Sequence, residues 1–188
     1  MTKKLLLIIA LGCLFAGNVS AQKIEWKTIE QVAKVNPKNS AKLYFVDFYT
    51  TWCGWCKKMD RTTFTDPTVS KILSAYFIPV KFDAEGSVEF VWNGVKYANA
   101  ATAPGGRAST HSFAKKMLGT QMGFPSFGIF ASNQSQLTVI QGYQTPEDLV
   151  VMLWYFASGD YKHYAYEKYA QIFDKEIRPT MNQKLGIQ

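Results

Sequence analysis

The run "KLYFVDFYT", residues 42–50, constrains this fold more than any other stretch of the chain. It is dense in aromatic and β-branched residues, and its apolar side chains continue on both faces of an extended strand. Such a run is stable only where both faces are covered, so it predicts a central strand with helices on either side. Asp47 breaks the apolar character. A buried carboxylate is costly unless neutralised or paired, whereas on an alternating strand with one wet face it would simply point to solvent.

The flanking segments predict a single α/β domain. A short strand at residues 24–27 leads into a helix carrying Ile29, Val32, Ala33 and Val35, ended by Pro37 and Asn39. After the central strand, "TWCGWCKKMDRTTF" predicts a helix begun near its first cysteine. "DPTVSKILSAYF" predicts another, capped by Asp66 with Pro67 in the first turn. "FIPVKFDAE" is a second buried strand, provided that Pro79 falls where no ladder donor is needed. Residues 86–118 interrupt the rhythm with a hairpin turning at Asn93-Gly94, a loop "ANAATAPGGRAS" and a helix ending at Gly119. Two strands joined by "SNQSQ" follow, then a helix from Thr145-Pro146 to about Ala157. A final helix at 160–177 brings Tyr161, Ala165, Tyr169 and Ile172 towards one face. Residues 179–188, after Pro179, are expected to form a flexible tail. Helix and strand alternate without internal repeats.

The first 21 residues carry a separate signal. Lys3 and Lys4 precede an apolar run from Leu5 to Ala16, and Val19-Ser20-Ala21 suits a signal peptidase. The run is too short to span a bilayer comfortably. Export with cleavage after Ala21 is therefore expected, to the periplasm or outside the cell, leaving a domain at 22–178. Cys13 in "ALGC" offers a lipoprotein alternative, although Ala10 is a poor opening for that signal. Removing Lys3 and Lys4 takes the formal charge from +7 to +5. The remaining basic residues are scattered, with no aromatic–basic repeat, so nucleic acid is not an expected partner.

Cleavage after Ala21 leaves two cysteines, Cys53 and Cys56. Zinc needs four ligands, and only His111 and His163 could supplement the pair. His163 sits among tyrosines, and His111 lies at a helix start where Thr110 and Ser112 are natural caps. A static disulfide closing so small a ring would save little loop entropy. A redox pair suits the setting better. At a helix start, unpaired N–H groups and the positive dipole end favour thiolate at Cys53, and Cys56, one turn inward, can attack a mixed disulfide formed there. Gly54 leaves room for a partner backbone. Trp52 and Trp55 offer apolar contact surface, although core packing would account for Trp52 equally well.

The segment "FVDFYTTWCGWCKKM" resembles the active-site region of the thioredoxin superfamily, and in particular the secreted thioredoxin-like group that includes the C-terminal domain of the thiol:disulfide interchange protein. The likeness covers about residues 24–157. It implies a thioredoxin-like fold, a central mixed sheet flanked by helices; this chain departs from it by an insertion at 86–118, before the cis-proline loop, and an added helix at 160–177. It places the family's buried proton-relaying acid at Asp47 and its cis proline at Pro125 in "MGFPSFGIF". Phe124 then pairs with bound peptide, and Gly142 lies near the same surface. The implied activity is protein dithiol–disulfide exchange without a cofactor, in the reducing direction, recharged by a membrane electron donor. An oxidase or isomerase, or a redox-inactive binding or chaperone module on the same scaffold, is the alternative. Gly-Trp between the cysteines, where cytosolic thioredoxin has Gly-Pro, leaves the redox poise open.

Overall fold

A computed structural model describes residues 23–34, 41–99, 109–120 and 122–187. The expected signal peptide with Cys13, the helix end at Val35, Pro37 and Asn39, and most of the 98–109 loop lie outside the described residues.

Five strands form a mixed sheet in the order β1-β3-β2-β6-β7. They are β1 (Lys27–Thr28), β2 (Leu43–Tyr49), β3 (Phe77–Asp83), β6 (Ser126–Phe130) and β7 (Gln136–Gln141). β1 and β2 each pair with β3 in parallel, whereas β6 runs antiparallel to both β2 and β7. The doubly apolar run is thus the middle strand. Pro79 is tolerated in β3 opposite Phe45, one residue short of where β1 begins to pair at Val80.

Alternation along β2 divides its side chains between two cores. Tyr44, Val46 and Phe48 enter one cluster with Ile29 and Val32 of α1 (Ile29–Ala33), Val80 and Phe82 of β3, and Phe130 of β6. Phe45 enters the other, with Met59 of α2 (Gly54–Arg61), Val69, Ile72 and Leu73 of α3 (Pro67–Tyr76), and Leu149 and Leu153 of α5 (Pro146–Ala157). Asp47 shares the parity of Phe45 and points to the side that α2 covers. Asp66 caps α3, accepting from the N–H groups of Thr68 and Val69 at 2.9 Å.

The inserted segment is built into the first of these cores. β4 (Phe90–Trp92) and β5 (Val95–Tyr97) form a hairpin whose turn residues Asn93 and Gly94 both have positive φ, 49° and 76°. Phe90, Trp92 and Tyr97 are buried, as is Phe113 of α4 (Ser112–Leu118). The Trp92 indole donates to the Gln134 carbonyl, and Gln134 Oε1 accepts from the Asn93 N–H, tying the hairpin to the β6–β7 turn. The cap of α4 is His111 itself, not Thr110 or Ser112. Its Nδ1 accepts from the Phe113 N–H at 3.0 Å, which assigns the proton to Nε2, 2.8 Å from the Val88 carbonyl. Both ring nitrogens are occupied, and burial pulls the imidazole pKa down.

The C-terminal region departs from expectation twice. The expected single helix at 160–177 is a 3-10 turn at Asp160–Lys162, then α6 (Tyr166–Ile172) and a π-helical turn at Phe173–Ile177. The break falls where the Tyr155 hydroxyl captures the Tyr164 carbonyl and Ala165 is extended. The expected tail is also a helix, α7 (Arg178–Leu185). Pro179 opens it, in a first turn where a missing N–H costs nothing. The wide turn just before it spares the clash that proline imposes on a regular helix. Tyr169, Phe173, Met181 and Leu185 pack into the α3–α5 core, and Lys71 of α3 donates to the Gly186 carbonyl. Met181→Ala should therefore lower the unfolding free energy by about 2–5 kcal/mol in urea titrations. A variant as stable as wild type would mean that α7 does not contribute to the core.

Candidate functional site

The chain leaves β2 at Tyr49 and turns into α2 through Cys53. The Cys53 N–H donates to the Thr50 carbonyl at 3.2 Å, and the Cys53 carbonyl accepts the Lys57 N–H. Cys53 is the N-cap, with its sulfur 3.0 Å from the Cys56 nitrogen, whose N–H it accepts. A sulfur in that place receives an otherwise orphaned donor and sits at the positive end of the helix. Cys53 and Cys56 are joined as a disulfide, with Cα atoms 5.3 Å apart, and both are almost fully buried. Gly54 lies open, since a Cβ there would meet nothing within 4 Å.

Trp52 and Trp55 flank this cap, 66% and 56% exposed. Both are surface residues, which settles Trp52 in favour of an exposed wall. Its indole donates to Glu85 Oε2 at 2.9 Å and meets the Phe124 ring edge-on at 6.2 Å. Trp55 packs beside Tyr143, with ring centres 5.4 Å apart.

The loop before β6 comes to the same end of the sheet. Phe48 pairs with Ser126, which puts Phe124 and Pro125 just beyond the end of β2. The Phe124–Pro125 peptide is cis, and the Pro125 carbonyl accepts the Gly142 N–H at 2.8 Å. Gly142 has φ 92°, a backbone region that L side chains rarely adopt, although there is open space around it. Its requirement for glycine is conformational.

Asp47 lies beneath α2 and is 1% exposed. It is beside Lys81 in the parallel β2–β3 register, and the Lys81 ammonium reaches its Oδ2 at 2.5 Å. Asp47 Oδ1 has no hydrogen-bond partner among the described residues. The same ammonium contacts Asp60 of α2 and lies over the rings of Trp26, Phe64 and Tyr49. Burial pushes the Asp47 carboxyl up to about 6, outweighing the downward pull of Lys81, with a further push from Asp60. For Lys81, burial pulls downward, but the two carboxylates win and its pKa is raised. A cleft of about 520 Å³, lined by Trp26, Asp60, Phe64 and Lys81 among others, opens this cluster to solvent behind α2.

The structure therefore brings Cys53, Cys56, Trp52, Gly54, Trp55, Phe124, Pro125 and Gly142 to one end of the sheet, with Asp47 below. Sequence reasoning missed Lys81, Asp60, Glu85 and Tyr143. Lys81 did carry a signal, being a lone charge within the apolar run "FIPVKF". Glu85 joins the inserted segment to the site. Asn99 Nδ2 donates to the carbonyls of Glu85, Gly86 and Ser109, at 3.3, 3.0 and 2.6 Å. Among the described residues no cluster of three His, Cys, Asp or Glu side chains could hold a metal, and no helix is long and apolar enough to cross a membrane.

The raised Asp47 pKa fixes a sign. Between the ordinary carboxylate value, about 3.9, and about 6, the folded protein keeps a proton that the unfolded chain has released. Stability attributable to Asp47 is whole below that window and is lost as pH rises through it. Asp47→Asn cannot ionise, so its unfolding free energy relative to wild type should improve by about 2 kcal/mol from pH 4 to pH 7. Urea titrations across that range measure it, and parallel curves would refute a raised pKa.

A thioredoxin-like domain model matches residues 29–157, more than half of the chain. The thiol:disulfide interchange protein DsbD of Photorhabdus laumondii is 40% identical over 48 residues, 26% of this chain but only 8% of that protein. A candidate disulphide-isomerase from Bacteroides thetaiotaomicron superposes with TM-score 0.50 at 22% identity, covering 73% of this chain and 97% of its own. A thioredoxin-fold protein from Helicobacter pylori gives 0.55 at 11% identity, over 79% and 89%. At these identities the superpositions speak for the fold alone. With a family model spanning β2, the cysteine helix, the Pro125 loop and α5, the chain belongs to the thioredoxin-like domain family, and it carries at the start of α2 a Cys-x-x-Cys pair joined as a disulfide.

Proposed function

We propose that the protein is an exported thiol–disulfide oxidoreductase that reduces disulfides in protein partners. The observation that carries the reading is Cys53 as N-cap, its sulfur receiving the Cys56 N–H at the positive end of α2. In the dithiol form the same donor stabilises a Cys53 thiolate. That thiolate attacks a partner disulfide, forming a mixed disulfide and releasing one partner thiolate. Cys56 then loses its proton to Asp47 and attacks Cys53 Sγ. The second partner thiolate leaves, and the protein ends as the Cys53–Cys56 disulfide.

Asp47 suits the role of proton acceptor because its pKa lies nearer neutrality than an ordinary carboxylate and its Oδ1 is unpaired. Export is supported by the charged and apolar start of the sequence with its small-residue exit. The reducing direction is supported by the resemblance to the interchange protein. In an oxidising compartment, each turnover consumes a dithiol, so an electron donor must restore it, and a membrane protein is the proposed source.

Cys56→Ser should accumulate mixed disulfides with partners, and Cys53→Ser should not. In Cys56→Ser, the alkylation rate of Cys53 should rise with a midpoint below about 8.5. A midpoint at or above that value would remove Cys53 as the attacking thiol. Asp47→Asn should slow resolution by about 10²-fold in stopped-flow measurements while leaving the first attack nearly unchanged. Equilibration against glutathione gives the direction, since a potential near about −270 mV fits a reductant and one near about −120 mV an oxidant.

A further inference from the structure

The redox face is electrically two-sided. On one flank, Trp52 leans on Phe124 and is held by the carboxylate of Glu85. On the other, the Lys58 ammonium lies 4.7 Å from the ring centres of both Trp55 and Tyr143. Lys57 and Arg61 add two more exposed cations along α2. Among the described residues, none of these three pairs with a carboxylate. Asp60, the acid of this helix, is turned to the opposite side and committed to Lys81. Glu147 acts on the Tyr143 phenol but makes no ion pair with Lys58.

Two aromatic rings fix an ammonium in place without neutralising it. The result is a half-exposed tryptophan and a tyrosine, residue types enriched in binding hot spots, beside an oriented cation that has no ion-pair partner among the described residues. Complementary charge on a partner would set both orientation and encounter rate. Lys58 is five positions along α2 from Cys53, about 7.5 Å along the helix axis. That distance corresponds to roughly two residues of an extended chain.

We propose that Trp55, Lys58 and Tyr143 dock protein partners that carry an acidic residue about two positions from their reactive cysteine, with Glu85 disfavouring acids on the Trp52 flank. The proposal rests on the oxidoreductase reading for the role of Cys53. It deepens that reading by naming the partner chemistry.

Matched disulfide peptides with Glu or Lys at that position test it through the ratio of their kcat/KM values within each variant. The ratio cancels any general change in activity. In wild type the Glu peptide should be favoured about fivefold at low salt, and the preference should shrink towards unity near 1 M salt. Lys58→Arg should keep the preference, Lys58→Gln should abolish it, and Lys58→Glu should invert it. The same peptides with Ser in place of Cys give a readout free of chemistry, through quenching of tryptophan fluorescence. If no peptide is turned over yet the Glu peptide still binds better to wild type than to Lys58→Glu, the oxidoreductase reading fails and the docking site stands. Equal Glu-to-Lys ratios in wild type and Lys58→Glu, by turnover or by binding, would overturn the docking site.

Discussion

One buried charge contact, Asp47 with Lys81, organises the middle of this molecule. Parallel pairing of β2 and β3 sets the two residues side by side, and the lysine reaches on to Asp60 of α2. The centre of the sheet is thereby joined to the redox helix by charge as well as by packing. Such contacts are poor stabilisers, because desolvation consumes most of the Coulombic gain. Apolar residues of similar volume would often make a firmer core. The surroundings instead limit the cost, with Trp26, Phe64 and Tyr49 presenting ring faces to the ammonium. A cluster that costs stability and leaves one carboxylate oxygen unpaired beneath a cysteine pair makes sense as chemistry.

The additions to the minimal scaffold do different work. The C-terminal helices seal the α3–α5 face with Tyr169, Phe173, Met181 and Leu185. The inserted segment covers the other face with Phe90, Trp92, Tyr97 and Phe113. Ordering that many residues costs entropy, which these buried rings offset. The insertion is also anchored beside the redox face, because Asn99 gathers the carbonyls of Glu85, Gly86 and Ser109, and the carboxylate of Glu85, the residue just before the insertion, holds Trp52.

What the sequence disclosed was mostly local. The doubly apolar run marked the central strand, Asp66-Pro67 marked a helix start, and Asn93-Gly94 marked a hairpin, each through chemistry confined to a few neighbours. The cysteine pair and Asp47 were legible for the same reason. Lys81 was not, because its meaning depends on a strand register linking residues 34 apart. The Lys58 sandwich was hidden likewise, since Tyr143 arrives from beyond β7. Pro179 misled because a proline both ends helices and begins them. Only the burial of Met181 and Leu185 distinguishes the two.

The two cysteines share one disulfide but stand in unequal surroundings, and in the proposed cycle that inequality divides the labour between them. Cys53 caps α2 and can hold negative charge with help from a backbone N–H and the helix dipole. Cys56 is already inside the first turn, where its own N–H is spent on Cys53. Its thiol has no comparable reason to ionise, so attack by Cys56 requires a base from elsewhere. Asp47 approaches from the sheet side, and Lys81 connects it to Asp60 and the cleft behind α2. A partner covering Trp52, Trp55 and the Pro125 loop would close the front of the site to water while leaving that rear cleft open. Electron exchange and proton exchange can then use opposite sides of the same helix, so that sealing the disulfide against solvent does not strand the proton that Cys56 must lose.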